Sequence, residues 1–436
     1  MSALLDYREV LEDLFRLRRF GVKLSLLPVE RALGRMGSPA LGMPCIQIGG
    51  SNAKGSVAAM VEAMLRADGR KTGLFTSPHL CRFTERIRVA GQEISRAEVV
   101  RHYRRIRAEA PELTFFEVAT AMAALCFAEH GAEVGVIEVG LGGRMDATCY
   151  FDARVTGFGP IGLEHTPYLG VDLDRIAWEK GRMMRPGVPA ASSATDPVVL
   201  AVHSALAELE GVPFHLLGRD FSAARLEGGR MRYEGPGGAL ELPAPPLGGP
   251  HQLDNAALAL ALVGLLPEPL RPSDEARRQG IAGVVWPGRM ELLPGPPRVL
   301  LDAGHNPQAV RALLGALGEL ERRRTIFVVA AMLDKDLSGL LGTMLSAANE
   351  AILTRVQYYR GAPPEELLRK VPEKLRQRCR IAPDLATALE EARSMATDPE
   401  DLVVVAGSVF LVGEARALLL GEETDPVKVT DPVATR

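Results

Sequence analysis

Short apolar runs alternate with amphipathic stretches in two separate parts of this 436-residue chain. In the first part, apolar runs at 45–48, 72–76, 134–139 and 155–162 read as strands, and periodic stretches at 55–66, 116–129 and 173–184 read as helices. Strand and helix in alternation predict a parallel sheet wrapped by helices. Residues 214–242 change character: short strand-like pieces are broken by GG and GPGG, as in hairpins, and predict a small antiparallel β subdomain. The Pro-rich LPAPPLGGP then leads into an Ala/Leu-rich helix starting near His251. A second alternation begins at Arg298, with VLLD, TIFVVA, AILT, CRIA and DLVVVAG as strands. The expected fold is therefore α/β, with the best domain boundary in VVWPGRMELLPGPPR: residues 1–287, then a smaller α/β domain at 288–420, then a mobile polar tail at 421–436.

Length supports two cores rather than one. Apolar residues make up 47% and charged residues 24%, and the net charge of −3 gives no electrostatic footing for nucleic acid or an anionic membrane. Arg101, Arg104, Arg105 and Arg107 read as a solvated helix face. Five cysteines without CxxC spacing argue against a disulfide framework or a zinc site and fit a reducing compartment. The N-terminus, MSALLDYREVLEDLFRLRRF, is a charged amphipathic helix rather than a signal peptide, and no apolar run reaches membrane-spanning length. A cytoplasmic protein is expected.

In open parallel sheets ligands sit beyond the carboxyl ends of the strands, and four successive predicted strands end in polar residues. CIQIGGSNAKGSVAAM runs from strand through a Gly-containing turn into a helix. Backbone N–H groups at 52–56 could form an anion-binding nest, with Lys54 as a point charge and the Ser56 hydroxyl towards Mg²⁺. The strict Walker order is not met, because Lys54 precedes Gly55, so a plain strand–helix turn stands as the other reading. GLFTSPHL places Thr76, Ser77, Pro78 and His79 at the next strand end. In VGVIEVGLGGRMDAT, Glu138 is a carboxylate inside an apolar strand, costly unless paired or metal-bound. GLEHTPYLG adds Glu164 and His165, and Lys180 follows in a helix. Singly, His165 reads as a satisfied histidine and Lys180 as a complement to the helix dipole.

At these residues the chain resembles the folylpolyglutamate synthase/dihydrofolate synthase family within the Mur-ligase superfamily. The matching blocks are GGSNAKGS, GLFTSPHLCRFTERIRV, TFFEVATAMAALCFAE, VIEVGLGGRMDAT, GLEHTPYLG, AWEKGRMMRPGVP, HQLDNAALAL, WPGRME, LDAGHNP and VVVAGSVFLVGEAR, in the family's order from about residue 20 to 415. FGVKLSLLPVERAL also looks like the family's folate-contacting segment. The resemblance implies a P-loop ATP-binding and folate-binding first domain and a Rossmann-like glutamate-ligase second domain. It implies ATP contacts from Asn52, Lys54, Gly55 and Ser56, and from Asn255, Arg289 and Asp302, with His305 on the same loop as Asp302. Ser56, Ser77, Glu138 and His165 are the implied Mg²⁺ ligands, for two ions, and Lys180 the implied bearer of a CO₂-derived carbamate. Lys54, Glu138, His165 and Lys180 form the implied catalytic set, with Thr114, Phe115, Phe116, Glu117 and Lys180 on the substrate side.

The implied reaction is ATP-dependent phosphorylation of a pterin-linked carboxylate, then attack by L-glutamate to give an amide. Dihydropteroate or a reduced folate is the acceptor, and a monomer is expected. Four departures stand out: Ala53 for a usual glycine, Glu164 for a usual aspartate, Asp302-Ala303-Gly304 for Asp-Gly-Ala, and Gly181-Arg182 after Lys180. They keep open a catalytically silent folate- or nucleotide-binding homologue. A UDP-muramate-type ligase would carry a UDP-binding domain before the loop, where only 48 residues precede Gly49, and a P-loop switch or kinase lacks the second domain.

Overall fold

The computed structural model describes residues 2–17, 25–358 and 360–427, which divide into two compact units. The first five residues (20–24) of the expected folate-contacting segment, and the tail from 428, lie outside the described residues; 27–35 forms the helix Leu27–Arg35.

The first unit comprises residues 1–77, 84–246 and 252–285. Its large sheet contains β1 (Pro44–Gly49), β2 (Thr72–Phe75), β3 (Ile87–Val89), β4 (Gln92–Glu93), β5 (Val134–Glu138), β6 (Asp152–Phe158), β7 (Ala190–Ser192) and β8 (Phe214–Leu216). Their order is β4-β3-β2-β5-β1-β6-β7-β8, parallel from β2 to β8 with an antiparallel β3–β4 edge. The central strands β2, β5 and β1, and β6 from Val155 onward, are largely apolar and buried, as strands covered on both faces must be. The helices Phe115–Glu129 and His251–Gly264 are buried nearly all round, which explains why their sequences are apolar without a strong stripe. Phe214–Leu216, expected among the hairpins, pairs instead in parallel with β7. The small antiparallel sheet holds β9 (Ser222–Leu226), β10 (Arg230–Glu234) and β11 (Leu240–Pro243), in the order β11-β10-β9.

The second unit comprises 78–83, 247–251 and 286–436. Its sheet contains β12 (Glu291–Leu293), β13 (Arg298–Asp302), β14 (Thr325–Val329), β15 (Glu350–Leu353), β16 (Cys379–Ile381) and β17 (Leu402–Ala406), ordered β12-β13-β17-β14-β15-β16 with only β12 antiparallel. Leu300, Phe327, Val329, Leu353 and Val404 meet Val310, Leu313, Leu341 and Met344 from the covering helices in a separate apolar core. The expected mobile tail is not free along its first residues, since Asp425 is buried and hydrogen-bonded.

Candidate active site

β1 ends in a turn stitched to the end of β6. The Ser51 and Asn52 amides both donate to the Pro160 carbonyl (2.9 and 3.1 Å), and Ser51 Oγ exchanges hydrogen bonds with Gly162 (3.0 Å). A side chain at Gly159 would overlap the Asn52 carbonyl oxygen. The expected nest at 52–56 is therefore shortened: the Asn52 N–H is committed, and the cradle begins at the amides opening the helix Lys54–Ala67, which have no partner within the helix. Just before it, Ala53 adopts a left-handed φ of 69°, the conformation that a glycine takes without a Cβ clash. Ser56 is buried in the first turn.

Lys54 Nζ donates to the Gly50 carbonyl (3.0 Å), and Lys180 Nζ reaches the same oxygen (3.1 Å) from the helix Leu173–Gly181. Lys180 also pairs with Glu164 at 2.7 Å. Burial works to raise the Glu164 carboxyl pKa, but the Lys180 ammonium, helped by Lys54 and His165, prevails and holds it at about 2. Burial in turn depresses the Lys180 ammonium below the ordinary lysine range, against the pull of Glu164. His165 caps the short helix Thr166–Leu169 with φ 49°, a left-handed position that histidine tolerates better than most residues.

On the other side of β1, Glu138 closes β5, 4% exposed, and its Oε2 accepts the Ser77 amide at 3.0 Å. Register sets Ile48 opposite Glu138, Gly49 opposite Phe158 and Phe75 opposite Ile137. Ser77, Glu138, Lys54 and His165 thus follow the carboxyl ends of four adjacent strands, β2, β5, β1 and β6. Among the described residues no group of three or more His, Cys, Asp or Glu is arranged to hold a metal ion, so the expected ligand set contains one carboxylate, one imidazole and two serines without a closed cage.

The Gly-rich turn after β5 is held by Asp146. Its carboxylate accepts from Leu141 N (2.8 Å), Thr148 N (2.9 Å) and Thr148 Oγ1 (2.5 Å); burial raises its pKa, and these bonds oppose the rise. Sequence reasoning did not single Asp146 out, although Asp followed two residues later by Thr is the spacing of an Asx-type turn. The turn leaves no room for side chains: a Cβ at Gly143 would overlap the Glu179 carbonyl, and one at Gly140 the Phe116 ring. Phe116 lies 5.8 Å from Phe75, and the Arg86 guanidinium stacks 5.2 Å from the Phe115 ring centroid. Thr114 N and Oγ1 both donate to Glu117 Oε2 (2.7 Å) in a capping box, while Glu117 Oε1 is buried without a hydrogen-bond partner among the described residues. Asn255, buried in the helix His251–Gly264, donates to Gln252 Oε1 at 2.9 Å.

In the second unit, Asp302 ends β13 and joins two loops, accepting from Met290 N (3.1 Å) and Gly304 N (2.9 Å). Arg289 precedes Met290, and His305 Nδ1 lies 3.0 Å from the Ala303 carbonyl. The structure therefore brings Arg289, Asp302 and His305 to one rim of that unit.

Residues 288–409 match the family model "Mur ligase, glutamate ligase domain". A dihydrofolate synthase/folylpolyglutamate synthase of Mycobacterium tuberculosis is 34% identical over 90% of this chain and 90% of its own length. The chain belongs to the dihydrofolate synthase/folylpolyglutamate synthase family. A probable bifunctional folylpolyglutamate synthase/dihydropteroate synthase of Haloferax volcanii is also 34% identical, over 94% of this chain, which spans only 50% of that longer relative. Among solved structures, a bifunctional folylpolyglutamate synthase/dihydrofolate synthase with Mn, AMPPNP and L-glutamate bound superposes with a TM-score of 0.84 at 31% identity, covering 94% of this chain and 98% of the other. Family membership, with the fold, makes the enzyme class that of an ATP-dependent ligase.

Proposed function

We infer that this chain uses ATP to ligate L-glutamate to a pterin-linked carboxylate, as a dihydrofolate synthase, a folylpolyglutamate synthase or both. The observation that carries this reading is the rim on which Lys54, Glu164, His165 and Lys180 crowd beside the shortened phosphate cradle, with the Ser77–Glu138 pair one strand further along. Residues 1–287 form the ATP- and pterin-binding domain and 288–420 the glutamate-ligase domain, whose own nucleotide-contact candidates are Arg289, Asp302 and His305. Asn52, Gly55 and Asn255 complete the nucleotide contacts, and Phe115, Phe116 and the Thr114–Glu117 box face the acceptor.

The donor chemistry fits a hard divalent cation. The Glu138 carboxylate, the Ser56 and Ser77 hydroxyls and His165 would hold it, and they are mainly the oxygen donors that such an ion takes. When bound, one or two such ions neutralise charge on the transferring phosphoryl group. Lys54 places a fixed positive charge beside the same phosphates. The acceptor carboxylate takes the γ-phosphoryl group with loss of ADP; the glutamate amine then attacks the acyl carbon, loses a proton, and phosphate leaves. Burial enlarges the neutral fraction of Lys180, the form that adds CO₂. A carbamate there exchanges a cation for an anion, so Glu164 has to turn from Nζ when it forms.

ATP- and glutamate-dependent phosphate release, measured side by side with dihydropteroate and tetrahydrofolate, tests the reading. Turnover with either acceptor is expected, and Lys180→Ala is expected to abolish it. ATP binding without turnover on both would replace this reading with the silent homologue. A cytoplasmic monomer is the accompanying expectation, checked by sedimentation of the purified chain.

A further inference from the structure

The helix Leu173–Gly181 buries one face, made of Ile176, Ala177, Lys180 and Gly181. His203, from the helix Pro197–Glu210 of the same unit, lies against that face and is itself fully buried. Its Nε2 stands 3.1 Å from the Ala177 carbonyl. A Cβ at Gly181 would come within 3.1 Å of His203 Cδ2 and 2.5 Å of Leu206 Cδ1, so the imidazole also packs on the helix just beyond Lys180. The ring is further held by Phe158, the last residue of β6, at 4.8 Å between centroids, and by Phe214 in an edge contact at 6.3 Å.

A carbonyl only accepts, so Nε2 carries the proton and donates. Burial pushes the imidazole down to about 4, and at neutral pH the ring is the neutral tautomer with Nδ1 unprotonated. Nδ1 is buried with no hydrogen-bond partner among the described residues. An imidazole is thus costlier to bury here than an apolar side chain of its size, and the hydrogen bond to Ala177 is what sets it apart. Ala177 and Gly181 are one turn apart on the face that carries Lys180, the first three residues before it and the second next to it. Held at both, the last turn resists rotation about its own axis, and Lys180 Nζ is delivered to the Gly50 carbonyl and Glu164. We propose that His203 is a positioning residue for Lys180, acting through the Ala177 carbonyl. Its bearing on turnover rests on the catalytic role given to Lys180 above.

Two substitutions in the full chain separate the donor from its bulk: His203→Leu fills the space without a donor, and His203→Gln offers an amide N–H in place of Nε2–H. Amide hydrogen exchange and nitrogen NMR of ¹⁵N-lysine in CO₂-free buffer, with the Lys180 Nζ signal assigned by its loss in Lys180→Ala, read the position separately from catalysis. In His203→Leu, exchange at Lys180 and Gly181 should accelerate by about fivefold to tenfold, as one lost hydrogen bond allows, and the Lys180 Nζ resonance should shift. His203→Gln should restore both, and exchange in β1 and β5 should stay unchanged in either variant. Acceleration spread evenly over the first unit, an unmoved Nζ resonance or no recovery with glutamine would overturn the proposal. Phosphate release by His203→Leu should fall by about tenfold in kcat, with KM for ATP unchanged. A shifted Nζ resonance with unchanged kcat would support the positioning and instead overturn the catalytic role of Lys180. If the leucine variant does not fold, His203→Asn, whose shorter side chain stops short of Ala177, takes its place with the same outcomes read.

Discussion

Ala53 holds a left-handed backbone at the mouth of the cradle, the conformation in which an L-residue's Cβ crowds the following carbonyl. That conformation costs an L-residue about 1–2 kcal/mol, partly offset by the greater freedom glycine has when unfolded. Ala53→Gly should therefore stabilise the first unit by up to about 1 kcal/mol in urea unfolding, and any destabilisation would contradict the strain. Glu164 works in the other direction. Its carboxyl sits at about 2 against an ordinary 4.5, so its contribution is complete above pH 4.5 and is lost as pH falls towards 2. Glu164→Gln leaves the Lys180 cation buried without its partner, an expected loss of about 3–5 kcal/mol at neutral pH, and should flatten the acid limb of the stability profile.

At the scale of elements, the glycines after β5 and at the end of the Lys180 helix decide how closely two segments approach. Gly143→Ala must push the turn off the Glu179 carbonyl, displacing the residue before Lys180. Phosphate release should fall by about a hundredfold, the cost of a misplacement near 1 Å. Gly315, in the helix Pro307–Gly318, has open space where its Cβ would stand. Gly315→Ala should leave activity intact and raise stability by up to about 1 kcal/mol through helix propensity. The central strands were legible because each is a long apolar run, buried on both faces. Strands of only two or three residues, such as β3, β4, β7 and β12, have too few positions to show a period. β8 looked like a hairpin arm because its parallel partner, β7, is reached across the helix Pro197–Glu210, whereas the hairpin strands follow β8 directly in the sequence.

At the scale of the whole molecule, stability should be linked to the nucleotide. A ligand that binds only the folded chain, at a hundredfold excess over its Kd, adds about 2.7 kcal/mol. ATP analogue with Mg²⁺ should raise the thermal midpoint accordingly, and Lys54→Ala should remove most of the increase. A midpoint insensitive to nucleotide in the unaltered protein would contradict the placement of ATP on the β1 turn.

The order of elements, the polar residues at successive strand ends and the family were all readable along the chain, because strand and helix periods and motif residues are local properties. Tertiary structure decided what those residues do to one another. Asn52 loses its amide to Pro160 because β1 and β6 are neighbours, Glu164 meets Lys180 because a helix folds back onto the rim, and Asp146 closes a turn in which Gly143 packs against that helix and Gly140 against Phe116. The clasp of Asp425 on residues more than three hundred positions earlier has no local signature at all. A short polar residue near the end of a chain becomes a partner only when packing removes the water it would otherwise bind.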